Sequence, residues 1–151
     1  MKLSTRVRYG VRAMIELAKQ PPGQAVPLRV LARNQTISPK YLEQMAAALK
    51  IAGLIESVRG AEGGYRLTRP PEHITVWDIY RTLDVAAEPI DCLSRECQRL
   101  GLCAASELWG RLSTALETIL KSHNLKQLAE REQYLQLLHH PAAPAVNKSL
   151  R

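Results

Sequence analysis

At Gly53 the hydrophobic period of the chain changes, and that change limits the folds open to it. Before it, SPKYLEQMAAALKIAG places Leu42, Met45, Ala46, Leu49 and Ala52 at helical spacing, one apolar stripe along a helix. Ser38 suits the N-cap, and Pro39 suits the first helical position, where its missing amide donor costs nothing. Gly53 stands where a left-handed C-terminal residue is wanted. The opposite face carries Lys40, Glu43, Gln44 and Lys50, open to solvent or to a ligand. After it, LIESVRG and YRLTRP alternate in character on either side of AEGG, which predicts a β-hairpin.

Two further segments precede this pair. STRVRYGVRAMIELAK predicts a first helix, capped by Ser4, with Val7, Val11, Met14, Ile15 and Ala18 on one face. QPPGQ ends it. VPLRVLARNQ predicts a short second helix with Pro27 in its first turn and Leu28, Leu31 and Ala32 inward, and TIS breaks it. Two helices joined by a short turn, then a basic hairpin, is the order of a winged helix-turn-helix.

Downstream, ITVWDIYRTLD predicts a fourth helix capped by Thr75, with Asp78 completing a capping box. SELWGRLSTALETILKSH predicts the longest helix, with a stripe of Leu108, Leu112, Ala115, Leu116, Ile119 and Leu120. A helix of about 20 residues spans about 30 Å, more than a small head can cover. A second copy of the chain is the simplest cover, so a homodimer is expected. NLKQLAEREQYLQLL predicts one more short helix, and the proline- and alanine-rich HHPAAPAVNKSLR is expected to be disordered. The expected fold is mainly α: a winged head over 1–84, a cysteine-bearing loop over 85–103, a dimerisation helix and short helix over 104–138, and a tail over 139–151.

Charge narrows the function. The 151 residues carry a net charge of +7, with 21 basic against 14 acidic side chains, which favours a polyanionic partner. The basic residues concentrate early: Lys2, Arg6, Arg8 and Arg12 precede any acid, and Arg29, Arg33, Lys40, Lys50, Arg59, Arg66 and Arg69 follow. No run of about 18 apolar residues suggests a membrane span, and MKLSTRVRYGVRAM lacks an apolar signal core, so a cytoplasmic protein is expected. No Ser-His-acid set, glycine-rich phosphate loop or paired-carboxylate cleft stands out, so neither an enzyme nor a small-molecule substrate is expected. Trp77, Trp109 and Tyr80 read as packing residues.

The only three cysteines lie in DCLSRECQRLGLC, with four residues between Cys92 and Cys97 and five between Cys97 and Cys103. An odd number of clustered thiols points to metal or redox chemistry rather than a disulfide scaffold. Three free thiols is the plain alternative. Structural zinc fits this spacing poorly, because it usually wants a two-residue gap in at least one pair of ligands. Iron–sulfur chemistry tolerates looser spacing and wants soft thiolates, and Arg95 and Arg99 could offset cluster charge. Ser106, Glu107, Glu96 or a partner residue are the candidates for a fourth ligand.

LSTRVRYGVRAM, ISPKYLEQMAAALKIAGLIESVRGAEGGYRL, ITVWDIYRTLD and CLSRECQRLGLCAASELW, in that order, resemble the Rrf2-type family of bacterial transcription regulators, and within it the iron–sulfur cluster regulators. The resemblance runs from residue 1 to about 128. It implies a dimeric winged-helix DNA binder with a cluster held near the dimer interface by Cys92, Cys97 and Cys103, 2Fe–2S favoured over 4Fe–4S. For the cluster regulators the resemblance implies a histidine as fourth ligand three residues after the third cysteine, a position that Ser106 holds here. Other members use a carboxylate near residue 8, where this chain has Arg8. The resemblance also sets the residues matching Glu43 and Gln44 against base edges and the one matching Arg59 in the minor groove. With Ser38, Lys40, Tyr41 and Gly60 these are the candidate contacts to a double-stranded operator. Two rival functions remain: a cluster-free regulator of the same fold, and a metal or redox protein that binds no DNA.

Overall fold

The computed structural model describes residues 3–60, 63–84, 99 and 102–139. The elements run α1 (Thr5–Ala18), α2 (Leu28–Gln35), α3 (Pro39–Ile51), β1 (Ile55–Val58), β2 (Gly64–Leu67), a 3-10 turn (Pro71–His73), α4 (Val76–Leu83), α5 (Ala104–Lys121) and α6 (Leu125–His139). The fold is mainly helical with one two-stranded antiparallel sheet, as the periodicity predicts. The expected tail beyond His139, and Cys92, Arg95, Glu96 and Cys97, lie outside the described residues.

Local chemistry accounts for the element ends. Ser4 Oγ accepts the Val7 amide at 3.2 Å and Ser38 Oγ accepts that of Tyr41 at 3.2 Å. At α4, Thr75 Oγ1 accepts the Asp78 amide while Asp78 accepts the Thr75 amide, a complete capping box. Gly53 closes α3 at a φ of 68°. Pro27 sits one residue earlier than expected: it precedes α2, and its carbonyl accepts the Val30 and Leu31 amides. Ala52 is exposed rather than inward, because it is the C-cap of α3 and lies past the last buried turn.

The core forms where α1 meets the other elements. Met14, Met45, Ile74, Ile79, Leu83 and Leu125 are its largest fully buried side chains. The hairpin pairs Ile55 with Leu67 through Val58 with Gly64, and Val26 adds a one-residue third strand by exchanging two 2.9 Å bonds with Tyr65. Gly64 permits this approach, since a Cβ there would collide with the Val26 carbonyl.

The C-terminal helices depart from expectation. α6 is not short; it runs 15 residues and buries Leu125 and Ala129 against the head. The Leu125 amide donates to the Ile74 carbonyl at 2.9 Å, and that of Val76 to the His123 carbonyl at 2.9 Å, stitching the start of α6 to α4. α5, 18 residues long, buries none of its side chains fully. Leu116 and Leu120 lean on the core, whereas Leu108 and Ile119 are 57% and 58% exposed. No helix among the described residues is long and apolar enough to cross a membrane.

An ionic network ties α6 to α1 and α2. Lys19 pairs with Glu16 and, at 2.9 Å, with Glu132 of α6, while Asn34 of α2 donates to Glu16 at 2.9 Å. Burial pushes the Glu16 carboxyl up, but bonds from Lys19 and Asn34 and the Lys19 charge outweigh it and hold it below the usual carboxylate value. Burial likewise lowers Lys19, yet its two carboxylate partners raise it above the usual lysine value. The Glu16 contribution to stability is therefore full above the ordinary carboxylate range and is lost as pH falls through the folded value. The Lys19 contribution is full below the ordinary lysine value and is lost at higher pH still. Glu16→Gln should cost about 1–3 kcal/mol in urea unfolding at pH 7. That gap should close as pH falls below about 4. An equal gap at pH 7 and pH 3 would show that the charge is not what stabilises.

Candidate nucleic-acid interface

The α2–α3 junction is short and internally bonded. Thr36 turns through the left-handed region at φ 54° and its amide donates to the Arg33 carbonyl at 3.1 Å. Ile37 is buried next to it and donates to the Ala32 carbonyl at 2.9 Å. Burial of Leu42, Met45, Ala46 and Leu49 then leaves the other face of α3 outward.

On that face Lys40, Glu43, Gln44 and Ala47 are exposed. Lys40, Glu43 and Gln44 make no side-chain hydrogen bond or ion pair among the described residues, so their polar ends are available to a ligand. The remaining candidates are placed differently. Ser38 is exposed, but its hydroxyl caps α3. Tyr41 is half-buried, with the Tyr9 ring edge-on to it at 6.3 Å and 87°. Lys50 donates to Ser57 at 2.8 Å, tying the end of α3 to β1. Arg59 and Gly60 are exposed where β1 ends, and Gly60 adopts a φ of 115° that favours glycine. Gly60 accepts the Gly63 amide at 2.9 Å, which turns the chain at the wing tip beside Arg59.

Three arginines counted in the basic half are engaged within the fold. Arg66 donates to Glu56 at 2.7 Å and to the Gly23 carbonyl at 3.1 Å. Arg69 donates to the His73 carbonyl at 2.9 Å and reaches Asp78 at 3.4 Å. Arg12 donates twice to Gln35. Arg12 and Arg69 nonetheless remain exposed, so these bonds orient surface charge rather than bury it. Tyr9, which meets Tyr41 of α3, and Gln35, which meets Arg12, carry no signal in the hydrophobic period. The only hint was the spacing of Tyr9 and Arg12, three apart on one helix face.

Of the cysteines, Cys103 is described: it is half-exposed and stands at the N-cap of α5 with no side-chain capping bond. Ser106 donates its hydroxyl to the Cys103 carbonyl at 2.6 Å, and Glu107 is exposed in the same turn. Among the described residues no three His, Cys, Asp or Glu side chains gather into a metal site. The donor type still suits iron, since Cys103 presents a thiol and Glu107 a carboxylate on one helical turn.

The profile of a family described as Rrf2, iron-dependent transcriptional regulator, matches residues 3–131. The chain is similar to the HTH-type transcriptional regulator CymR of Bacillus subtilis, at 40% identity over 89% of this chain and 98% of that one. The solved structure of that protein, the global cysteine regulator of B. subtilis, superposes with a TM-score of 0.73 over 87% of this chain and 98% of that chain. The regulator IscR of Aliivibrio salmonicida is 37% identical over 85% of this chain and 77% of its own length. The solved IscR of T. potens is 36% identical, with a TM-score of 0.72 over 89% of this chain and 90% of that chain.

Proposed function

Since this chain belongs to the Rrf2 family of transcriptional regulators, we propose that it works as a homodimer that reads a double-stranded operator through α3 and the wing, under the control of an iron–sulfur cluster on Cys92, Cys97 and Cys103. As a member of that family it is a DNA-binding regulator and not an enzyme. The observation that carries the reading is the uncommitted polar face of α3, with Lys40, Glu43 and Gln44 exposed side by side. Gln44 can pair in two places with an adenine edge. Lys40 and Arg59 supply charge for phosphate or a narrow minor groove. Ser38, Tyr41 and Gly60 hold these groups in place and border the DNA. Glu43 accepts from a cytosine amine and repels phosphate, so it acts as a gate on sequence.

Residues 85–103 join the head to the dimer helix in this reading. Cys103 begins α5, and α5 leans on the head through Leu116 and Leu120, so a ligand bond at Cys103 bears on the angle between the two. When bound, the cluster supplies a redox-active, oxygen-labile centre. The IscR relatives support iron–sulfur binding, and 2Fe–2S over 4Fe–4S is the type we propose. Ser106 and Glu107 are the fourth-ligand candidates on this chain. The Ser106 hydroxyl already serves the Cys103 carbonyl, which makes it the poorer of the two. The similarity to CymR supports a second reading, a regulator without a cluster. Anaerobic visible absorption with iron and sulfide assays separates the two. Any single Cys→Ala change should remove the absorption and the iron, whereas Ser106→Ala should keep most of both. Full iron and sulfide in the cysteine variants would move the cluster elsewhere.

Base reading and dimerisation have their own tests. Gln44→Ala should lose about 1–3 kcal/mol on the preferred site. Glu43→Ala should broaden the sites recovered from a random duplex pool, and an unchanged spectrum would remove the gate. For the dimer, Leu112 is the better probe than Leu116, because Leu116 packs against its own head while Leu112 is 40% exposed. Leu112→Asp should sediment as a folded monomer. A stable dimer from that variant would place the interface off this face of α5.

A further inference from the structure

Arg12 belongs by sequence to the basic cluster that opens the chain, yet its guanidinium is engaged within the fold. Its Nε donates to Gln35 Oε1 at 3.0 Å, its Nη2 donates to the Gln35 carbonyl at 3.1 Å, and its charge lies over the Tyr9 ring at 5.6 Å. Gln35 is the last residue of α2 and, among the described residues, the buried polar side chain, at 7% exposure. Its carbonyl is at the negative end of α2, where the helix offers no partner and a cation is favoured. One residue on, Thr36 turns the chain toward Ser38, the cap of α3. Tyr9, on the same face of α1 as Arg12, meets Tyr41 in the first turn of α3. One face of α1 therefore grips the end of α2 and the start of α3, on either side of the turn.

We infer that Arg12 is a positioning residue for base reading, setting the pose of α3 through Gln35, and is not a phosphate contact. The inference rests on the DNA reading proposed above. The physical reason lies in tolerance. A helix side chain ends about 5–6 Å from the axis, so a rotation of about 10° moves it by about 1 Å. A bidentate base contact does not survive that displacement, because hydrogen bonds need distance and angle together. A charge near a phosphate does survive it, because its attraction falls off slowly. Loosening the grip should therefore cost specific binding and spare nonspecific binding.

Arg12→Lys keeps the charge and removes the fork that spans the Gln35 side chain and carbonyl. Duplexes selected from a random pool by the unmodified chain supply the specific site, and a scrambled duplex supplies the nonspecific one. Affinities for both are read across a salt series. Arg12→Lys should lose roughly tenfold on the selected duplex, with scrambled-duplex affinity within about twofold and an unchanged salt slope. Arg12→Ala should lose as much on the selected duplex. The assignment is overturned if Arg12→Lys binds like the unmodified chain, or if Arg12→Ala makes the salt slope shallower by about 0.9 per protomer, the mark of a lost phosphate contact. Should thermal melts show either arginine variant unfolded, Gln35→Met carries the test: selective loss on the selected duplex is expected, and retained selectivity overturns the assignment. If the unmodified chain selects no sequence at all, the DNA reading itself fails, an outcome distinct from selection that survives in the variants.

Discussion

Burial of α1 is the constraint on which the rest depends. It packs against α2, α3, α4, α6 and the second strand of the wing, with Met14 fully enclosed. Several of its polar side chains serve as joints between neighbours. Arg12 joins it to the end of α2, Tyr9 to α3, and Glu16 and Lys19 to α2 and α6. Each joint needs a full set of partners, because a buried polar group left without one costs about 1–3 kcal/mol.

This arrangement sorts the positive charge of the chain. Arginines near the core edge serve carbonyls and carboxylates of the fold, as Arg66 does for Glu56 and Gly23. Outward groups such as Lys40 and Arg59 have no such duty among the described residues. Net charge therefore points to the class of partner, while the geometry separates exposed residues with no bond inside the fold from those that hold one. The same logic runs through α5. Its inner edge leans on the head through Leu116 and Leu120, and its outer edge leaves Leu108 and Ile119 uncovered. An amphipathic helix with two apolar edges and one covered is a surface that a second copy can complete.

Most of what is local was legible in the sequence. The serine caps of α1 and α3, the capping box at Thr75, the left-handed Gly53 and the hairpin after it all act over three or four residues, and each lies where the periodicity and end signals put it. The order of those elements was enough to expect a winged helix-turn-helix, and the polar face of α3 followed from the stripe opposite it. The candidate site was legible only as a set of exposed residue types. That Tyr41 is braced against Tyr9 of α1 depends on a neighbour distant in sequence, whereas the Ser38 cap acts within its own turn.

The tertiary structure alone decided the long-range pairings. Arg12 meets Gln35 across 23 residues, and Arg66 meets Gly23 across 43. The sequence predicts a helix at α6, but not that Leu125 enters the core of the head. A one-dimensional pattern records which side chains want burial or a partner. Which group answers is set by how the helices cross, and that is a property of the packed whole.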